Sequence, residues 1–92
     1  MMKKNDILSV VTLTGEYIGK LVEFGGDGSV SLEDPRMLIA GDEGVGFARG
    51  ICMTGVENAT SVRIQNYVYA TPTNPDFSKA YRSAVSGLIL PH

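Results

Sequence analysis

The sequence predicts a mainly β domain, a small and strongly bent five-stranded antiparallel barrel with a C-terminal α-helix. Three observations lead there. Eleven glycines and no tryptophan in 92 residues punctuate short β-branched and apolar runs, as in small β proteins. The second run is apolar on both parities, which suits a strand bent across a barrel better than one on a flat sheet. The hydrophobic period changes from two to that of a helix only after residue 74. A chain of this length makes one domain, 1–92, with the barrel over about 7–72 and the helix over about 74–87.

Residues 7–14 are rich in β-branched side chains and end at a Thr14-Gly15 turn signal. Residues 16–24 follow, with Ile18, Val22 and Phe24 on one parity and Tyr17 and Leu21 on the other. Gly19 lies mid-strand, where glycine marks a bend, a bulge or a close backbone approach. Gly25-Gly26-Asp27-Gly28 reads as a hairpin loop, and residues 29–33 alternate with Val30 and Leu32 inward. Asp34-Pro35 is expected to break the ladder, since proline donates no hydrogen bond, before Met37-Leu38-Ile39 resumes. A turn at residues 41–44, a weaker strand over 45–53 and a polar loop over 54–60 come next.

Residues 61–70 form the clearest strand. Val62, Ile64, Val68 and Ala70 are expected on one face and Tyr67 and Tyr69 on the other, with a kink at Asn66, which tolerates positive φ. Asn74-Pro75-Asp76 then reads as an N-cap, a first-turn proline and a first-turn acid. Phe77, Tyr81, Ala84, Val85 and Leu88 recur at helical spacing, and Gly87 is the expected stop.

Eight basic and ten acidic residues give a net charge of −2, so no global basic charge exists to hold nucleic acid. No apolar run approaches the ~20 residues of a membrane span. None follows Lys3 and Lys4 as a signal peptide requires, so the expected location is the cytoplasm. The single cysteine, Cys52, and the single histidine, His92, exclude a disulfide framework and a Cys/His zinc site, and no metal or cofactor is expected. Cys52 has no internal histidine to activate it and is expected to be a small buried residue. The Gly25 to Gly28 segment lacks the lysine and hydroxyl residue of a phosphate loop and precedes a strand, so a hairpin turn is the expectation. Asp42 and Glu43 are adjacent and diverge, which suits a solvated turn better than acid–base work. An enzyme is not expected.

The stretch Val11-Thr12-Leu13-Thr14-Gly15-Glu16-Tyr17-Ile18-Gly19-Lys20-Leu21-Val22-Glu23-Phe24, followed after a loop by Val30-Ser31-Leu32-Glu33-Asp34, resembles the first motif of the Sm-like family, whose members are SH3-like barrels. The chain also looks like the short Sm-like proteins of tailed bacteriophages, many from marine viruses. That likeness rests on Leu32-Glu33-Asp34-Pro35, on the strand from Val62 to Ala70, and on Phe77-Ser78-Lys79-Ala80-Tyr81-Arg82 with Ser86-Gly87. For a viral protein it implies the host cytoplasm. The places that contact RNA in Sm proteins fall here on Gly25, Asp27 and Ser29. Asp27 cannot stack on a base and repels phosphate. The second motif matches in letters at Ala48-Arg49-Gly50 and in position at Ile64-Gln65-Asn66-Tyr67-Val68, and the latter placement puts Gln65 where an RNA-contacting arginine belongs.

The expected function is a non-enzymatic, oligomeric Sm-like binding or assembly module, a homo-oligomer and in particular a ring. Gly15, Gly19, Leu21 and Asn66 are its expected structural residues, and Val62, Ile64, Val68 and Tyr69 its expected interface. The alternative is an RNA-binding ring with altered base recognition. Lys20, Arg49, Arg63 and Tyr67 would carry it, with Arg82, Tyr69 and Tyr81 as further charge and stacking surfaces.

Overall fold

The computed structural model describes residues 2–52 and 54–86; expectations for Met53, Gly87, Leu88 and His92 lie outside the described residues. Six strands precede one helix: β1 (Ile7–Val11), β2 (Glu16–Phe24), β3 (Val30–Gly41), β4 (Gly44–Phe47), β5 (Ser61–Ile64), β6 (Tyr69–Pro72) and α1 (Pro75–Ser86). All pairings are antiparallel, in the order β4-β3-β2-β1-β6, with β5 on β3. The long β3 serves two partners on its outer side. Its first half, from Val30 to Glu33, pairs with β5, and its last residues, from Leu38 to Gly41, pair with β4.

The bend is built where β2 crosses β3. Lys20 faces Glu33 and Ile18 faces Arg36, so two steps on β2 oppose three on β3. The extra residue falls at Asp34-Pro35, with Asp34 in the left-handed region at φ 51. This corrects the expected break at Asp34-Pro35. A bulge position owes the ladder no donor, so Pro35 fits inside a continuing strand. A second shift, between Leu21 and Glu23, places the extra residue on β2 at Val22.

Asn66 has φ 59, but the region around it is more than a kink. The expected strand 61–70 divides into β5 on β3 and β6 on β1. The left-handed residue also resets the alternation. Tyr67 packs on the core with Val62, Ile64 and Ala70, while Val68 turns out and is 55% exposed. Residues 65–68 cross between the two sides without a β5–β6 ladder among the described residues. The sheet is therefore open and six-stranded among the described residues, where a strongly bent five-stranded barrel was expected.

The curled sheet buries one cluster inside, formed by Leu8, Val10, Leu21, Val30 and Leu32. A second lies on the opposite face, where Ile7 and Ile18 meet Tyr81 of α1, with Leu38, Phe47 and Val85 around them. Alternation along β1 feeds both, since Leu8 and Val10 face one way and Ile7 the other. The helix begins as its cap predicts, with Asn74 Oδ1 accepting the Phe77 amide at 2.9 Å. Its buried stripe is narrower than expected: Tyr81 is fully buried and Val85 half-buried, but Ala84 is exposed.

Candidate functional site

The β2–β3 hairpin tightens through Gly25, whose amide donates to the Ser29 carbonyl at 2.8 Å, and through Gly28 at φ 84. The turn aims Asp27 at the start of β3 and the end of β5. Its Oδ1 accepts from Ser29 Oγ at 2.6 Å and the Ser29 amide at 3.2 Å. Its Oδ2 accepts from Arg63 Nη2 and Gln65 Nε2, both at 3.2 Å. Arg63 Nε also donates to Ser29 Oγ at 3.1 Å. Residues 34 or more positions apart thus meet at one corner because β5 pairs with the first half of β3.

The Ser29 hydroxyl, helped by the Arg63 charge, holds the Asp27 carboxyl below the usual carboxylate range. A lowered carboxyl contributes stability above its unfolded value of about 3.9 and loses it as pH falls through the folded value. We therefore expect NMR titration of Asp27 to give a midpoint below that of a free aspartate. Ser29→Ala should raise it more than Arg63→Ala, because the hydroxyl bond is the larger cause. Equal midpoints in all three proteins would show that the corner is not formed in solution.

The other expected RNA-binding cations do not join this corner through a hydrogen bond or ion pair. Lys20 Nζ reaches Asp34 Oδ2 at 3.1 Å on the bend, and Arg49 Nη1 lies 3.7 Å from Glu57 Oε1 on the surface. Each of Lys20, Arg49 and Arg63 has an acidic neighbour, so none presents an uncompensated charge. Tyr81 is fully buried and offers no stacking surface, which corrects that expectation. Tyr67 is half-buried on the core, whereas Tyr69 is 55% exposed. Of the expected interface residues, Val62 and Ile64 pack on the core while Val68 and Tyr69 face solvent, so they do not form one surface.

No family model, curated protein or solved structure matches this chain.

The expected structural residues occupy defined places. Gly15 closes the β1–β2 turn, its carbonyl accepting from the Thr12 amide at 2.8 Å. Leu21 is in the inner cluster, and Gly19 packs on Leu32. Cys52 is exposed, which corrects the expectation of burial. The strand expected over 45–53 ends at Phe47, and residues 48–52 continue as a loop that stays on β3 through Met37, whose carbonyl accepts from the Ala48 amide at 2.8 Å and whose amide donates to the Gly50 carbonyl at 3.2 Å. No group of three His, Cys, Asp or Glu side chains suited to a metal occurs among the described residues.

Sequence reading missed Arg36, which is 8% exposed and has no acidic partner within 4 Å among the described residues. Its Nη1 donates to the Pro35 carbonyl at 2.8 Å and its Nη2 to Asn58 Oδ1 at 3.2 Å. The second bond ties Asn58 to the bend. The only available signal was an arginine placed between Pro35 and the apolar Met37-Leu38-Ile39 run.

Proposed function

We propose that the chain is a non-enzymatic Sm-like module that joins copies of itself edge to edge into a ring, a platform for binding. The observation that carries this reading is the open sheet. Among the described residues β6 is paired only with β1, and β4 only with β3. Val68 and Tyr69 stand exposed beside the first edge, and Ile39 and Val45 near the second. Free edges left in water are templates for further pairing. Two different edges on one chain favour head-to-tail contact, which closes into a ring when the rotation permits. The glycine-bent second strand and the five-strand path support the Sm-like reading.

Light scattering at micromolar concentration should give a mass several-fold that of one chain. The Val68 amide donates to the Val11 carbonyl at 2.7 Å, so proline at this position would break the fold itself. Val68→Lys keeps that bond and puts a charge beside the edge, as natural edge strands do. The variant should have the wild-type circular dichroism spectrum and a mass near that of one chain. A monomeric wild type would overturn the proposal.

The second reading, an RNA-binding ring, draws on the corner where Arg63 and Gln65 converge on the hairpin loop. Asp27 already occupies those donors. Affinity for short U-rich or A-rich RNA would therefore be weak, would rise in Asp27→Ala, and would fall in Arg63→Ala with a shallower salt slope.

A further inference from the structure

A cavity of about 200 Å3 opens where α1 begins, on the part of the sheet that the helix leaves uncovered. Its apolar walls are Ile18, Leu38, Val45 and Phe77. Glu16 and Ile18 are two residues apart on β2 and so share a face. Ile18 lies beneath the helix against Tyr81, while Glu16 lies past the first turn and stays exposed. Across the ladder, Ser9 opposes Ile18, and this places a hydroxyl in the same cavity.

Three features of the lining point to one chemistry. Glu16 forms no ion pair among the described residues, so its carboxylate stands uncompensated at the cavity. Ser9, 8% exposed, shares a hydrogen bond of 2.7 Å with Thr73 Oγ1. One hydrogen lies between the two oxygens, which leaves the pair with a second hydrogen and spare lone pairs for a guest. The Phe77 ring is set edge-on to Phe47, with centroids 6.4 Å apart and planes at 88°. A carboxylate, an aromatic ring and hydroxyl oxygens on one apolar cavity complement an organic cation. The carboxylate supplies charge, the ring a cation–π contact, and the hydroxyls accept N–H bonds. Glu16 would repel an anion, and a neutral apolar guest would gain only the walls.

We propose that this cavity binds a small organic ammonium ion carried on an apolar stem. The proposal goes beyond the assembly reading and does not rest on it. Its test is an amide NMR titration of the full chain with three probes of similar size, n-hexylammonium, 1-hexanol and hexanoate. Hexylammonium should give saturable shifts at Ser9, Ile18 and Phe77, hexanol should bind about tenfold more weakly, and hexanoate should give none. Glu16 is exposed, so Glu16→Gln should fold as wild type and weaken hexylammonium about tenfold. Phe77→Leu keeps an apolar side chain, loses the ring, and should weaken it several-fold. Equal binding of hexanol, undiminished binding of hexylammonium in Glu16→Gln, or no saturable shift with hexylammonium would overturn the proposal.

Discussion

Gly19→Val should lower the melting temperature by on the order of 10 °C or more. A Cβ at residue 19 would lie 2.9 Å from Leu32 Cβ and 3.2 Å from the Glu33 carbonyl oxygen. Neither neighbour can yield cheaply, because Leu32 is fully buried and its Cβ is fixed to the backbone. Overpacking of this kind costs about 1–3 kcal/mol even for a single added carbon, and valine adds two more. In a domain of this size each kcal/mol shifts the melting temperature by about 4–8 °C. Gly26→Ala is the matched control, since a Cβ there meets nothing within 4 Å, and its change should stay within about 0.5 kcal/mol. Both variants need measurement at one protein concentration, because assembly raises apparent stability by mass action. A Gly19→Val protein as stable as wild type would mean that β2 and β3 do not cross as closely as described.

Gly19 shows which parts of the fold were legible in the sequence. A mid-strand glycine, the Asn74-Pro75-Asp76 cap and an asparagine suited to positive φ are local signals, and each predicted a local event that the structure contains. What those events do to distant strands was not legible. Asn66 was expected to bend one strand. It separates two strands with different partners, and the reset alternation moved Tyr67 inward and Val68 outward. Pro35 looked like a ladder-breaker because its missing donor is visible in sequence. The bulge that excuses it depends on β2 bending at Gly19 across the sheet. The hairpin corner was half legible: the resemblance drew attention to Asp27, Ser29 and Gln65. That Arg63 would reach Asp27 follows only from the register of β5 on β3. The cavity was not legible at all. Ser9 and Thr73 are 64 positions apart, and nothing in either neighbourhood announces their contact.

The helix depends on Tyr81 more than its sequence suggests, and Tyr81 carries the second large effect. Its ring is fully buried against Ile7 and Ile18 and packs edge-on to Phe47. Its hydroxyl donates to the Asp34 carbonyl at 2.6 Å, with the Glu33 carbonyl 3.3 Å away. One side chain thus fastens α1 to the backbone of the bulge. Tyr81→Ala should cost about 3–5 kcal/mol, as for other buried aromatic truncations, and should loosen α1 from the sheet in hydrogen exchange. Tyr81→Phe keeps the ring and leaves the Asp34 carbonyl without this donor, for a cost of about 1–3 kcal/mol. The two variants also separate in pH. Burial, reinforced by the nearby Asp34 charge, pushes the Tyr81 hydroxyl well above the ordinary tyrosine value of about 10. Its contribution is complete below that unfolded value and is lost as pH rises through the folded one, because the unfolded chain ionises first. Above about pH 10 this residue should therefore lower the stability of wild type as pH rises. Other tyrosines and lysines titrate in the same range, so the diagnostic quantity is the difference between wild type and Tyr81→Phe. Urea unfolding across that range should show the gap between them closing as pH rises. Parallel curves would mean that the hydroxyl is solvated and that the helix is held by its apolar stripe alone.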